Sequence, residues 1–181
     1  DGKRFERQVS LSHNDSARYE DRWVQLKPNP DSPCIFTKGL AVHGVLPMPV
    51  RHGEGKLVAR DAATLQRLQD ENLIALQYTH PETGEATQEH PWNPNGSPLA
   101  IAGLTDPTGH ILGLMPHPEA FHHATNHPGW TRGEVAVPGT ALFANAIRYL
   151  PANPVHPSQD APVPQSSRLG RLNQTELRAT L

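Results

Sequence analysis

Leu112-Gly113-Leu114-Met115-Pro116-His117-Pro118-Glu119 is the stretch on which the reading of this chain turns. An apolar run that reads as a strand delivers an imidazole and a carboxylate two residues apart. Proline follows both Met115 and His117, and a residue before proline is biased towards extended backbone. In extended backbone, residues i and i+2 share a face, so the spacing predicts that His117 and Glu119 project together from a strand end. A carboxylate so placed orients an imidazole and stabilises its charge, leaving the other ring nitrogen free to trade protons with a nucleophile. The plainer alternative is a strand end with both groups solvated, and the spacing alone leaves both open.

Outward from this stretch, short extended runs dominate. Ile101–Leu104 and Ile111–Met115 flank Asp106-Pro107-Thr108-Gly109, which has the composition of a hairpin turn. Arg7–Leu11 and Arg22–Leu26 alternate as half-buried strands do, and Val45–Val50 is a third run. Asp61 reads as the N-cap of a helix over Ala62–Asp70, with Leu65 and Leu68 at i, i+3. Ile74–Tyr78 is a strand that ends in the turn Pro81-Glu82-Thr83-Gly84. Gly139–Tyr149 carries Leu142, Phe143, Ala146 and Ile147, with Leu150 beyond it, as a helical apolar stripe. Strands with at least two helices give an α/β or α+β reading.

The length of 181 residues fits one domain with an appendage and can bury a core without staples. Five of the 19 prolines fall in 151–165 among Ser, Gln, Asn and Asp, so 151–181 reads as a Pro-rich flexible tail behind a globular part over 1–150. Leu169, Leu172 and Leu177 suggest at most a short helix within it. A net charge of −2 does not suit a dedicated binder of nucleic acid. No apolar run approaches the roughly 18 residues of a membrane span, and no signal-peptide pattern opens the chain. The single cysteine, Cys34, excludes an intramolecular disulfide and a multi-cysteine zinc site. The chain opens on Asp1-Gly2-Lys3 rather than Met, which suggests a fragment.

Further segments invite chemistry. Val50-Arg51-His52-Gly53-Glu54-Gly55-Lys56 is a loop whose two glycines let backbone amides approach a small ligand, although a solvated turn reads equally well. Trp92-Asn93-Pro94-Asn95-Gly96-Ser97 reads, on its own, as turn chemistry. His123 and His127 have the spacing of two metal ligands on a helix, but Pro128 follows and no acidic third ligand is evident, so no metal is expected. Cys34 has neither a glycine elbow nor a helix signal after it and reads as an unreactive thiol at a strand edge.

Taken together, Arg51-His52-Gly53-Glu54-Gly55, Asn93-Pro94-Asn95-Gly96-Ser97 and Gly113–Glu119 stand in the order seen in the glutaminase component of phosphoribosylformylglycinamidine synthase, and the chain resembles that family over roughly 5–150. Asn14-Asp15-Ser16 through Arg22-Trp23, and Asn126–Arg132, resemble the flanking segments. The resemblance implies an α/β fold, the C-terminal part of a class I glutamine amidotransferase domain with a flavodoxin-like open sheet. It implies a cysteine–histidine–glutamate triad in which His117 is the catalytic histidine and Glu119 its carboxylate, and a glutamine pocket lined by His52, Gly53 and Glu54. The implied reaction releases ammonia from glutamine for conversion of formylglycinamide ribonucleotide to its amidine in purine biosynthesis. It implies a synthetase subunit or domain as partner, with ATP and Mg belonging to that partner and no cofactor in this chain. It also implies a cytoplasmic location, with neither nucleic acid nor membrane as a partner.

The departure from the family is as informative as the match. The family's nucleophile sits on a Gly-x-Cys-x-Gly elbow upstream of the Asn-Asp-Ser segment; this sequence has no such elbow, and Cys34 follows Asn14-Asp15-Ser16. The expectation is a glutaminase part that is inactive alone, because removing the nucleophile removes nearly all the catalysis of such a unit. A non-catalytic binding or scaffold subunit of the synthetase is the alternative, and a hydrolase that recruits Cys34 is a third. An unpaired sheet edge and an open apolar face are also expected, so that the 181 residues alone should aggregate.

Overall fold

β-Strand alternation and local caps account for most of the elements in the computed structural model, which describes residues 6–134 and 136–149. In chain order these are β1 (Val9–Ser12), β2 (Glu20–Pro28), β3 (Leu46–His52), β4 (Lys56–Ala59), α1 (Ala62–Asp70), β5 (Ile74–Thr79), β6 (Ile101–Thr105), β7 (Leu112–Leu114) and α2 (Thr140–Tyr149). Five strands form one sheet in the order β3-β2-β5-β6-β7, and every neighbouring pair is antiparallel. β1 and β4 make a separate two-stranded ribbon. The expected tail, 151–181, lies outside the described residues, as does Leu150.

β2 alternates as its sequence predicts: Val24 and Leu26 are buried opposite Met48 and Leu46 of β3. These side chains join Val50, Leu76, Tyr78, Phe121 and Leu142 in the main core. β3 carries Pro47 and Pro49, which a strand tolerates only at an edge because proline donates nothing to a ladder. The outward carbonyl of Pro49 is nevertheless used. It accepts the backbone N–H of His117 at 2.8 Å. His117 follows β7, on the opposite edge, so the sheet curls and its seam is closed by the stretch that carries the imidazole and the carboxylate.

The expected cap and turn are both present. Asp61 Oδ1 accepts the Thr64 N–H at 2.7 Å at the start of α1, and the Asp106–Gly109 turn joins β6 to the segment that leads into β7. Two expectations need correction. β1 is exposed along its whole length rather than half-buried, because it pairs only with β4 and lies outside the main sheet. In α2, Leu142 faces the core but Phe143 and Ile147 of the expected stripe are exposed, at 45% and 74%. The helix turns Asn145 inward instead. That side chain is buried and donates to Phe36 O at 3.1 Å and Lys38 O at 2.8 Å, and two satisfied hydrogen bonds fix which face is inside.

A second, smaller apolar cluster of Leu57, Leu68, Leu73, Ile74 and Ile101 lies apart from the main core. Leu57, Leu68, Leu73 and Ile101 of this cluster line an open trough of about 660 Å³ edged by Val9, Leu11 and Ile111. Among the described residues no helix is long and apolar enough to cross a membrane.

Candidate active site

His117 and Glu119 do meet, by a different route from the one their spacing suggests. Extended backbone does not carry through to Glu119; Pro118–Ala120 forms a single 3-10 turn, closed by the Ala120 N–H to His117 O at 3.1 Å. That turn swings the carboxylate back, and His117 Nδ1 and Glu119 Oε1 lie 2.6 Å apart. A carboxylate only accepts, so Nδ1 carries the proton and donates it. Nε2 is thereby left with a free lone pair on a ring whose side chain is 38% exposed. Partial burial pushes the Glu119 carboxyl up, but hydrogen bonds from His117 and from its own backbone, with the charges of His117 and Arg51, outweigh this and hold it below the usual value. The carboxylate therefore stays charged and fixes the tautomer of its partner. An apolar cavity of about 250 Å³, lined by Phe36, Leu112, Leu114, Leu142 and Phe143, adjoins the pair.

His52 ends β3, three residues beyond Pro49, and is 7% exposed. Its Nδ1 lies 3.0 Å from Asn14 Oδ1. The Asn14 amide nitrogen is already committed to His52 O at 2.7 Å and Arg18 O at 2.8 Å, so Oδ1 faces the ring and His52 donates from Nδ1. His52 Nε2 is buried and has no partner. Burial lowers the pKa of the imidazole; a backbone hydrogen bond and the nearby Glu20 charge pull it up, the His117 charge adds to the lowering, and the net direction is down. His52 is thus a neutral ring close enough to His117 to feel a charge placed there. Gly53 and Glu54 follow in the turn after β3; Gly53 O accepts the Asn14 N–H at 2.9 Å, and the exposed Glu54 meets His13 at 3.5 Å. Of the five expected site residues, His117, Glu119 and His52 are brought together, and Glu54 pairs elsewhere.

Sequence reasoning missed the polar network under this site. Glu20 stands directly opposite His52 in the β2–β3 ladder, with its side chain 4% exposed. It accepts from Ser16 Oγ at 2.6 Å, pairs with Arg22, and has His90 Nε2 at 3.3 Å. Burial pushes the Glu20 carboxyl up, yet the Ser16 and Arg22 hydrogen bonds, the Arg22 charge and the His90 contact together carry it below the usual value. Asn93, Asn95 and Ser97 are buried as well, and what reads as bare turn chemistry is a brace. Asn95 Nδ2 donates to Tyr78 Oη at 3.0 Å, Ser97 Oγ accepts from Leu57 N at 2.9 Å, and Asn95 O accepts from Asp15 N at 3.3 Å. The one available signal was three consecutive polar residues, Asn14-Asp15-Ser16, each of which holds a different segment.

The remaining candidates have structural places. His123 caps a turn through its Nδ1, and the His127 ring packs edge-on to Trp23 at 5.2 Å between centroids. Cys34 is fully buried in the loop after β2 rather than at a strand edge, beneath a turn where Ile35 N donates to Gly109 O at 3.0 Å.

The family model for the CobB/CobQ-like glutamine amidotransferase domain matches residues 1–150. The phosphoribosylformylglycinamidine synthase subunit PurQ of Methanococcus maripaludis is 38% identical over 157 residues, 80% of this chain and 56% of that protein. The PurQ subunit of Dehalococcoides mccartyi is 36% identical over 143 residues, 78% of this chain and 52% of the relative. A solved structure, that of PurLQS from Thermotoga maritima, is similar with a TM-score of 0.51 and 25% identity, over 79% of this chain and 53% of the solved one. The chain spans about half the length of the curated subunits it matches.

Proposed function

This chain belongs to the CobB/CobQ-like glutamine amidotransferase domain family, and from that premise we propose that it supplies the histidine and carboxylate of a glutaminase that feeds ammonia to a phosphoribosylformylglycinamidine synthase. The observation that carries the reading is the 2.6 Å bond from His117 Nδ1 to Glu119 Oε1, which leaves Nε2 as a base beside the buried His52 turn. The thiol nucleophile comes from a Gly-x-Cys-x-Gly elbow outside these 181 residues, since Cys34 is buried and follows the Asn14-Asp15-Ser16 segment.

In this mechanism His117 Nε2 takes the thiol proton, and the thiolate attacks the side-chain amide carbon of glutamine. The tetrahedral oxyanion collapses, the C–N bond breaks, and the leaving nitrogen takes the proton from Nε2 to depart as ammonia. Water, deprotonated by the same nitrogen, then adds to the thioester; the C–S bond breaks and glutamate leaves. Glu119 holds the ring in the required tautomer and offsets the charge of the imidazolium. His52, Gly53 and Glu54 line the glutamine pocket. Ammonia passes to a synthetase subunit or domain, which holds ATP and Mg and acts on formylglycinamide ribonucleotide in the cytoplasm.

The test is ammonia release from glutamine by the full-length protein assembled with its synthetase. His117→Ala should lower kcat by about 10³-fold or more while the reaction supplied with ammonium salt persists. Glutaminase activity within a few-fold of the unaltered protein would overturn the reading.

A further inference from the structure

Asn14 is 3% exposed, and all but one of its side-chain hydrogen bonds reach a segment about 40 positions away. Its amide nitrogen donates to His52 O at 2.7 Å and to Arg18 O at 2.8 Å. Its Oδ1 accepts from Gly55 N at 3.0 Å and from His52 Nδ1 at 3.0 Å, and its own backbone N–H donates to Gly53 O at 2.9 Å. Three of the four residues from His52 to Gly55 are thus tied to one asparagine. We infer that Asn14 is a positioning residue for glutamine: it holds the His52–Gly55 turn in its binding shape and selects the His52 tautomer, without touching substrate itself. The inference rests on the reading above, in which this turn lines the glutamine pocket.

Two facts set the expected signature. The turn contains Gly53 and Gly55, so without the clamp its backbone has wide freedom and must be ordered when substrate binds. That ordering weakens the ground state and the transition state alike, and such a loss raises KM while leaving kcat in place. Gly55 gives a second, independent handle. A Cβ at this position would overlap the His52 ring, so Gly55→Ala must displace the imidazole while Asn14 itself is untouched. An asparagine that served only general stability would lower kcat, the ammonium-supported reaction and the melting temperature together.

The experiment uses the full-length protein with its synthetase, carrying Asn14→Ala or Gly55→Ala, with glutamine and ammonium salt as alternative nitrogen sources. In both variants KM for glutamine should rise about tenfold or more, with kcat within about twofold of the unaltered value and the ammonium reaction unchanged. The ¹⁵N imidazole signals should show His52 losing its fixed Nδ1–H form in Asn14→Ala. An unmoved KM in both variants overturns the positioning role, as does a kcat that falls in step with the ammonium reaction. His117→Ala in the same preparation separates the two readings. If it retains glutaminase activity, the function proposed for the site falls; if it abolishes activity while KM stays put in the Asn14 and Gly55 variants, only the positioning role falls.

Discussion

At the turn after β3, the His52 ring is 7% exposed and its Nδ1 is anchored on Asn14, which binds three residues of that turn. At the turn after β7, His117 and Glu119 have side chains 38% and 61% exposed and depend on one bond between them. Both turns follow edge strands of the same curled sheet, and the His117 N–H to Pro49 O bond ties one to the other. The difference separates two tasks. A ring that must exchange protons needs one nitrogen fixed and the other open, which the exposed pair provides. A segment that must keep its shape needs its backbone polar groups tied out of water, because a buried group left unpaired costs far more than a bond to solvent replaced. Asn14 ties His52 O, Gly53 O and Gly55 N, and leaves only the outer nitrogen of the His52 ring, Nε2, as a buried side-chain atom without a partner at this turn among the described residues. On the function proposed above, chemistry belongs to the open pair and geometry to the closed turn.

The sharpest way to break this division is Glu119→Gln. The substitution keeps the shape but removes the charge and the pure acceptor, so the His117 tautomer is no longer fixed. We expect kcat for glutamine hydrolysis to fall by about 10²- to 10³-fold, with a melting temperature that barely moves because exposed ion pairs contribute little stability. A loss under about threefold, or a drop of many degrees, would show that the open pair is a structural element after all.

The next effect lies on the closed side and has the opposite signature. Gly96 sits at φ +78°, and a Cβ there would overlap the Asp15 carboxylate. Asp15 would have to give up Lys56, which it now holds at 2.6 Å, and a non-glycine residue would be forced into left-handed backbone. Gly96→Ala should cost about 1–2 kcal/mol of stability by chemical denaturation, while kcat at saturating glutamine stays within about twofold. Loss of kcat without loss of stability would place the brace within the reactive machinery.

The same division decides what the sequence could tell. The meeting of His117 and Glu119 was suggested by their spacing of two residues, which left a solvated strand end open as well, and it is a 3-10 turn, not extended backbone, that brings them together. The Asp61 cap and the Asp106–Gly109 turn are local signals too, and they form. The brace was not legible. Asn93, Asn95 and Ser97 read as turn chemistry, Glu20 carried no local signal, and only the antiparallel pairing of β2 with β3 sets Glu20 opposite His52. The facing of α2 was missed for the same reason. Its apolar stripe competes with one buried amide, and Asn145 has partners in Phe36 and Lys38 that no helical period reveals.

The smallest expected effect is a separation of the two turns on the pH axis. Burial lowers the pKa of His52, so between its unfolded value of about 6.5 and its lower folded value the unfolded chain binds more protons than the folded one. By linkage, stability is complete above about 6.5 and declines as the pH falls below it. The Glu119 carboxyl is also held down in the folded state, so its contribution is complete above its ordinary value and is lost only as the pH falls through the carboxylate range. Being exposed, it contributes little. Denaturant midpoints measured on the full-length protein from pH 8 to 4 should therefore begin to fall near pH 6.5 and flatten there in His52→Gln. Glu119→Gln should leave that limb in place and alter the curve only below about pH 4.5. If His52→Gln keeps the unaltered slope between about pH 6.5 and 5, the closed turn does not hold its imidazole neutral at a cost in acid, and the contrast between the two turns fails at its base.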